Sequence, residues 1–136
     1  MLKKVDHVGI AVPNIQEALK FWAAGLANDV EREETIESQK ARIAFLPVGD
    51  VDIELLEPTA PDSPIAKFID KRGPGVHHVC FQVADLDAAA AHLRGLGFEM
   101  ATDKPVRGGH GKWIQFVHPK SANGVLIELS QVDNGD

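Results

Sequence analysis

His7, Glu54, His78 and Glu128 are the residues whose types and places could do chemistry, because two imidazoles and two carboxylates can together hold a divalent metal. Strand alternation selects them, since successive side chains point to opposite faces. In residues 4–12 (KVDHVGIAV), Val8, Ile10 and Val12 share a face, which leaves His7 on the other. In residues 75–83 (GVHHVCFQV), His77, Val79, Phe81 and Val83 share a face, and His78 lies opposite. Ile53 and Leu55 oppose Glu54 in the same way, and Ile127 and Leu129 oppose Glu128. Helices must cover the apolar faces, so the four polar side chains are expected on the other, concave side. Mixed nitrogen and oxygen ligation suits Zn, Mn, Co, Ni or Fe(II). Four protein ligands on an octahedral ion leave positions for water or a chelating substrate.

The elements that must position these residues repeat. Each histidine-bearing strand is followed by a helix-start signal: Asn14 with Glu17 three residues on, and then Asp85. Ile15, Ala18, Leu19, Trp22, Ala23 and Leu26 recur at helical spacing, as do Leu86, Ala89, Ala90 and Leu93. Glycines end both helices, at Gly25 and at Gly95 with Gly97. Two β-like stretches then close each half: 41–48 and 51–57 in the first, 112–118 and 125–131 in the second. Both halves finish on Ile-Glu-Leu. Between them, Ser63-Pro64 opens a short helix that Gly73 ends. The expected fold is α+β: two tandem βαβββ modules (about 3–59 and 74–131) joined by a linker helix (about 64–72). They form a curved mixed sheet around a metal site, with helices outside. Neither half alone offers a comfortable core, so 1–136 is expected to be one domain.

Composition bounds the partners. The chain of 136 residues is 44% hydrophobic and 25% charged, ordinary for a folded protein. A net charge of −6, with the acidic excess in the first half, argues against nucleic acid as a partner. The single cysteine, Cys80, excludes an intrachain disulfide and a cysteine-rich zinc site. No apolar run is long enough to span a membrane, and the N-terminus does not read as a signal peptide, so a cytoplasmic protein is expected.

Other polar residues read more plainly. His77 is expected to be structural or to support a ligand, His92 to be solvated, and His118 to make a structural hydrogen bond. His110 sits in a glycine-rich loop and is expected to be exposed; RGGHGK is not a phosphate-binding loop. Cys80 falls on the His78 face as a small filler. Glu31, Glu33, Glu34 and Glu37 read as a solvated edge or loop, and Lys67, Lys71 and Arg72 as the wet side of the linker helix.

The paired modules, with Asp6-His7-Val8, His77-His78-Val79 and Ile-Glu-Leu at both ends, resemble the vicinal oxygen chelate superfamily. Within it the chain is most similar to the methylmalonyl-CoA epimerase family, from residue 3 to 131. VDHVGIAV, IELLEPT, DSPIAKFI, GVHHVCFQV and HPKSANGVLIEL carry the resemblance. Glyoxalase I enzymes usually place Asp-Pro where this chain has His118-Pro119-Lys120. The resemblance implies metal ligands at His7, Glu54, His78 and Glu128, with Glu128 also the catalytic base. It further implies one divalent ion per chain (Co2+ first, then Mn2+, Zn2+ or Ni2+), an acyl-CoA substrate and a homodimer. The implied reaction is epimerisation at C2 through a metal-stabilised enolate. Some relatives carry Gln at the Glu54 position. A second family glutamate, proposed as the opposing base, aligns with Ile43, on a face expected to look into the cavity. Arg107, Lys112 and Lys120 are candidates for the CoA phosphates. The rivals are lactoylglutathione lyase (glyoxalase I) or a ring-cleaving dioxygenase on the same scaffold, and a small-molecule binding or resistance protein without catalysis.

Overall fold

The computed structural model describes residues 1–108 and 111–132. The strands are β1 (Leu2–Ala11), β2 (Arg32–Ile36), β3 (Ala41–Val48), β4 (Val51–Pro58), β5 (Gly75–Val83), β6 (Val106–Arg107), β7 (Trp113–Val117) and β8 (Leu126–Gln131). The helices are α1 (Ile15–Leu19), α2 (Pro64–Arg72) and α3 (Leu86–Gly95). Each half therefore runs β-α-β-β-β, and the fold class is α+β as expected. The chain gathers into two compact units, residues 7–77 and residues 1–6 with the chain from 78 onward.

In the unit of residues 7–77 the strand order is β2-β3-β4-β1, with β1 parallel to β4 and the other pairs antiparallel. Asn14 caps α1 through an Oδ1 that accepts from the Glu17 N–H at 2.9 Å. The helix then passes into π-helical turns over Lys20–Gly25. There the Leu26 N–H donates to the Phe21 carbonyl at 3.0 Å and the Asn28 N–H to the Ala23 carbonyl at 2.9 Å. Hydrophobic spacing over so short a span does not separate the two helix types, and the helical run ends at Gly25 as expected. The apolar face is buried as parity requires: Ile10, Val12, Ile15, Ala44, Leu46 and Leu55 form a core on which Trp22 and Ala23 pack.

A second core lies on the opposite face. Ala11, Ala41, Ile43, Phe45 and Leu56 are covered by Ile65 and Phe68 of α2. The Ser63 Oγ accepts from the Ile65 N–H at 3.1 Å, and Gly73, with φ of 78°, ends the helix where a side chain would be strained. The linker helix is thus part of this unit's core. Of the glutamates expected on a solvated edge or loop, Glu33 and Glu34 lie in β2, an edge strand, and Glu31 and Glu37 flank it. There Glu33 holds Arg42 at 2.6 Å across the ladder.

In the other unit the order is β5-β8-β7-β6, again with the first pair parallel and the rest antiparallel. Asp85 caps α3 through the Ala88 N–H at 3.0 Å. Val83, Leu86, Ala89, Val117 and Leu129 form the core beneath that helix. Among the described residues, no helix is long and apolar enough to cross a membrane.

Candidate functional site

His7 and Glu54 come together in the unit of residues 7–77. The β1–β4 register sets Gly9 against Glu54, so alternation puts His7, two residues earlier, on Glu54's face. The His7 Nδ1 lies 3.2 Å from the Glu54 Oε2, and both side chains are buried. Phe45 of β3 is directly opposite Glu54. Its ring is covered by the Arg32 guanidinium at 3.8 Å, and Glu34 fixes Arg32 at 2.7 Å.

The other unit builds the same arrangement from the repeat. The His78 Nε2 lies 3.2 Å from the Glu128 Oε1, and both are buried. Phe116 of β7 is opposite Glu128, as Phe45 is opposite Glu54. It meets the His78 ring edge-on at 6.4 Å. Cys80 pairs with Glu128 from the other side and is fully buried. The filler role expected of it fits that burial, and parity placed it on the correct face.

The donor chemistry fits a metal. Adjacent ligands on an octahedral ion with bonds of about 2.1 Å stand about 3 Å apart. The 3.2 Å separation within each His–Glu pair matches that edge. Buried carboxylates are costly without a compensating cation, and each unit buries one beside an imidazole.

The secondary expectations divide. The His118 Nδ1 accepts from the Lys120 N–H at 3.1 Å, a structural hydrogen bond as expected. His92 is exposed, and so are Lys67, Lys71 and Arg72. His77 packs edge-on against Phe68 at 5.0 Å. His110 lies outside the described residues. Ile43 shares Glu54's face, and it is buried against Ala11, Leu56 and Ile65, where α2 covers that end of the sheet. Lys112 is not a loose surface cation, since its Nζ donates to Asp6 at 2.6 Å. Arg107 lies over the Trp113 ring at 3.9 Å.

Two helix-capping side chains escaped the sequence reading. The Ile15 N–H donates to the Glu57 Oε1 at 2.7 Å, and the Leu86 N–H to the Gln131 Oε1 at 2.6 Å. Each follows its buried glutamate by three positions, so the aligned repeat carried the signal.

Comparison with known proteins gives a consistent answer. A family model described as the Glyoxalase/Bleomycin resistance protein/Dioxygenase superfamily matches residues 6–116. The ethylmalonyl-CoA/methylmalonyl-CoA epimerase of Cereibacter sphaeroides is 36% identical over 134 residues, covering 97% of this chain and 100% of the relative. The crystal structure of methylmalonyl-CoA epimerase from Mycobacterium tuberculosis is similar with a TM-score of 0.91 and 38% identity, covering 98% of this chain and 90% of that one. A methylmalonyl-CoA epimerase in complex with methylmalonyl-CoA and NH4+ gives 0.91 and 38%, covering 100% and 99%.

Proposed function

The chain belongs to the glyoxalase/bleomycin resistance protein/dioxygenase superfamily, as an enzyme of its epimerase kind, and from that premise we propose that it epimerises methylmalonyl-CoA at C2 with the help of one divalent metal. The observation that carries the reading is the duplicated buried His–Glu pair, with the same 3.2 Å separation at equivalent places in the repeat. His7, Glu54, His78 and Glu128 would hold the ion, with Co2+ first and Mn2+, Zn2+ or Ni2+ as alternatives. Bound there, such an ion supplies Lewis-acid stabilisation of the charge that develops on the thioester oxygen.

The chain's own part is proton transfer. Glu128 takes the C2 proton, its carboxylate becoming the acid, while the C–H electron pair moves into the adjacent thioester carbonyl. Return of a proton to the opposite face of the planar carbon inverts the centre. Ile43 has no proton to give, so the opposing donor is another group. The burial of Glu128 supports this role, because a base sheltered from water keeps its proton for the substrate. The two modules would act as one cytoplasmic domain, in a homodimer.

The test is turnover of methylmalonyl-CoA beside the methylglyoxal–glutathione hemithioacetal, with elemental analysis of the same preparation. Epimerisation that depends on a stoichiometric divalent ion is the expected result. Faster turnover of the hemithioacetal would make the protein a lactoylglutathione lyase, and binding without turnover of either would make it a sequestering protein.

A further inference from the structure

The half-buried ion pair between Lys112 and Asp6 joins side chains 106 positions apart in the sequence at 2.6 Å. Such a pair contributes little net stability, because desolvation offsets much of the attraction, so its value lies in where it fixes the ammonium. Lys112 stands at the head of β7, and its carbonyl accepts from the Gly108 N–H at 2.9 Å. Alternation from there places Lys112, Ile114 and Phe116 on one face, and Phe116 is opposite Glu128 and edge-on to His78. Among the described residues at the register positions of β5, β7 and β8 on that face, there is no other lysine or arginine. Asp6, which orients the ammonium, immediately precedes His7.

We propose that Lys112 is a specificity-determining residue that receives the free carboxylate of the acyl group of an acyl-CoA. The inference rests on the reading of the site given above and deepens it. An ammonium carries three donors, of which Asp6 takes one and sets the direction of the rest. The proposed donor set already includes two carboxylates, so an anionic acyl group gains from a cation fixed on the same face as Glu128. The side chain of Lys112 is 19% exposed, sheltered as a group inside a site is, whereas a contact to the CoA phosphates would suit an open lysine such as Lys120, at 69%.

The experiment measures equilibrium binding of malonyl-CoA, which carries the free carboxylate, and propionyl-CoA, which lacks it. The proteins are metal-loaded wild type, K112M and K112R, each first shown by thermal melting to be folded. K112M is expected to weaken malonyl-CoA by at least about tenfold while propionyl-CoA stays within about twofold, as loss of a hydrogen bond to a charged group implies. K112R is expected to recover part of the loss. An equal loss for both thioesters would assign Lys112 to the CoA phosphates and overturn the proposal, as would no loss for either. Epimerisation by wild type without discrimination through Lys112 would sink this inference alone. Discrimination through Lys112 in a wild type that does not epimerise would sink the proposed function alone.

Discussion

At the scale of single residues, Glu128 carries the most weight. Glu128→Gln keeps an oxygen to face His78 but cannot accept a proton, so kcat should fall by about 10²–10⁴. In D2O the wild type should wash deuterium into one epimer faster than the other, and the variant should lose the fast exchange. Metal content is measured alongside, and equal exchange surviving in a metal-replete variant would show that Glu128 is not the base. Ile43 supplies the second prediction. Ile43→Glu places a carboxylate among the apolar side chains of Ala11, Leu56 and Ile65. It should cost several kcal/mol on the order of other buried unpaired charges, seen as a lower urea midpoint, without faster epimerisation. A stable, faster variant would contradict that. The four paired residues were legible from sequence because alternation has a period of two and each strand has one strongly apolar face. The surroundings of Ile43 were not, because parity names a face and says nothing of what covers it. The partner of Lys112 was hidden for a related reason: a contact 106 positions away leaves no local pattern.

At the scale of elements, the two long-range helix caps can be tested against each other. Glu57 and Gln131 do the same work at the starts of α1 and α3, one charged and one neutral. Glu57→Gln should therefore be nearly neutral, whereas Glu57→Ala should cost about 1 kcal/mol in urea denaturation, as other cap losses do. Equal losses in both variants would mean that charge at the helix start, not the hydrogen bond, stabilises α1. The Lys40–Asp62 contact, between the turn that opens β3 and the approach to α2, gives a pH prediction. The hydrogen bond from Lys40 holds the Asp62 carboxyl below its ordinary value of 3.8. A depressed folded value stabilises above the unfolded one, so the contribution is present above about pH 4 and is lost as pH falls through the folded value. Asp62→Asn should flatten that acid limb slightly, the effect being small because the pair is exposed; an unchanged limb would show the contact to be inert. Elements themselves were readable where a cap and a period coincided, as at Asn14, Ser63 and Asp85. β2 was legible only as a solvated edge or loop, because its glutamates look like a solvated run; its pairing with β3 makes that edge a strand.

At the scale of the whole molecule, the duplication makes a statement about stoichiometry. Each unit supplies one imidazole and one carboxylate, His7 with Glu54 and His78 with Glu128. Two donors are too few to hold a first-row dication against water and chelators, whereas four of mixed type suit one. The proposed centre therefore needs both halves of the repeat. The expected result is one ion per chain by elemental analysis. His7→Ala and His78→Ala should each bring it close to none, although the substituted residue belongs to a different half each time. Two ions in wild type, falling to one in either variant, would mean that the halves bind metal separately and that the shared centre is wrong. Because an ion that binds the folded state alone stabilises it by mass action, about 2.7 kcal/mol at a hundredfold excess over Kd, the same variants should lose the rise in Tm that added Co2+ gives wild type. A Tm rise that persists in both variants would place the ion elsewhere, and would remove the reason for burying two glutamates at matching places in the repeat.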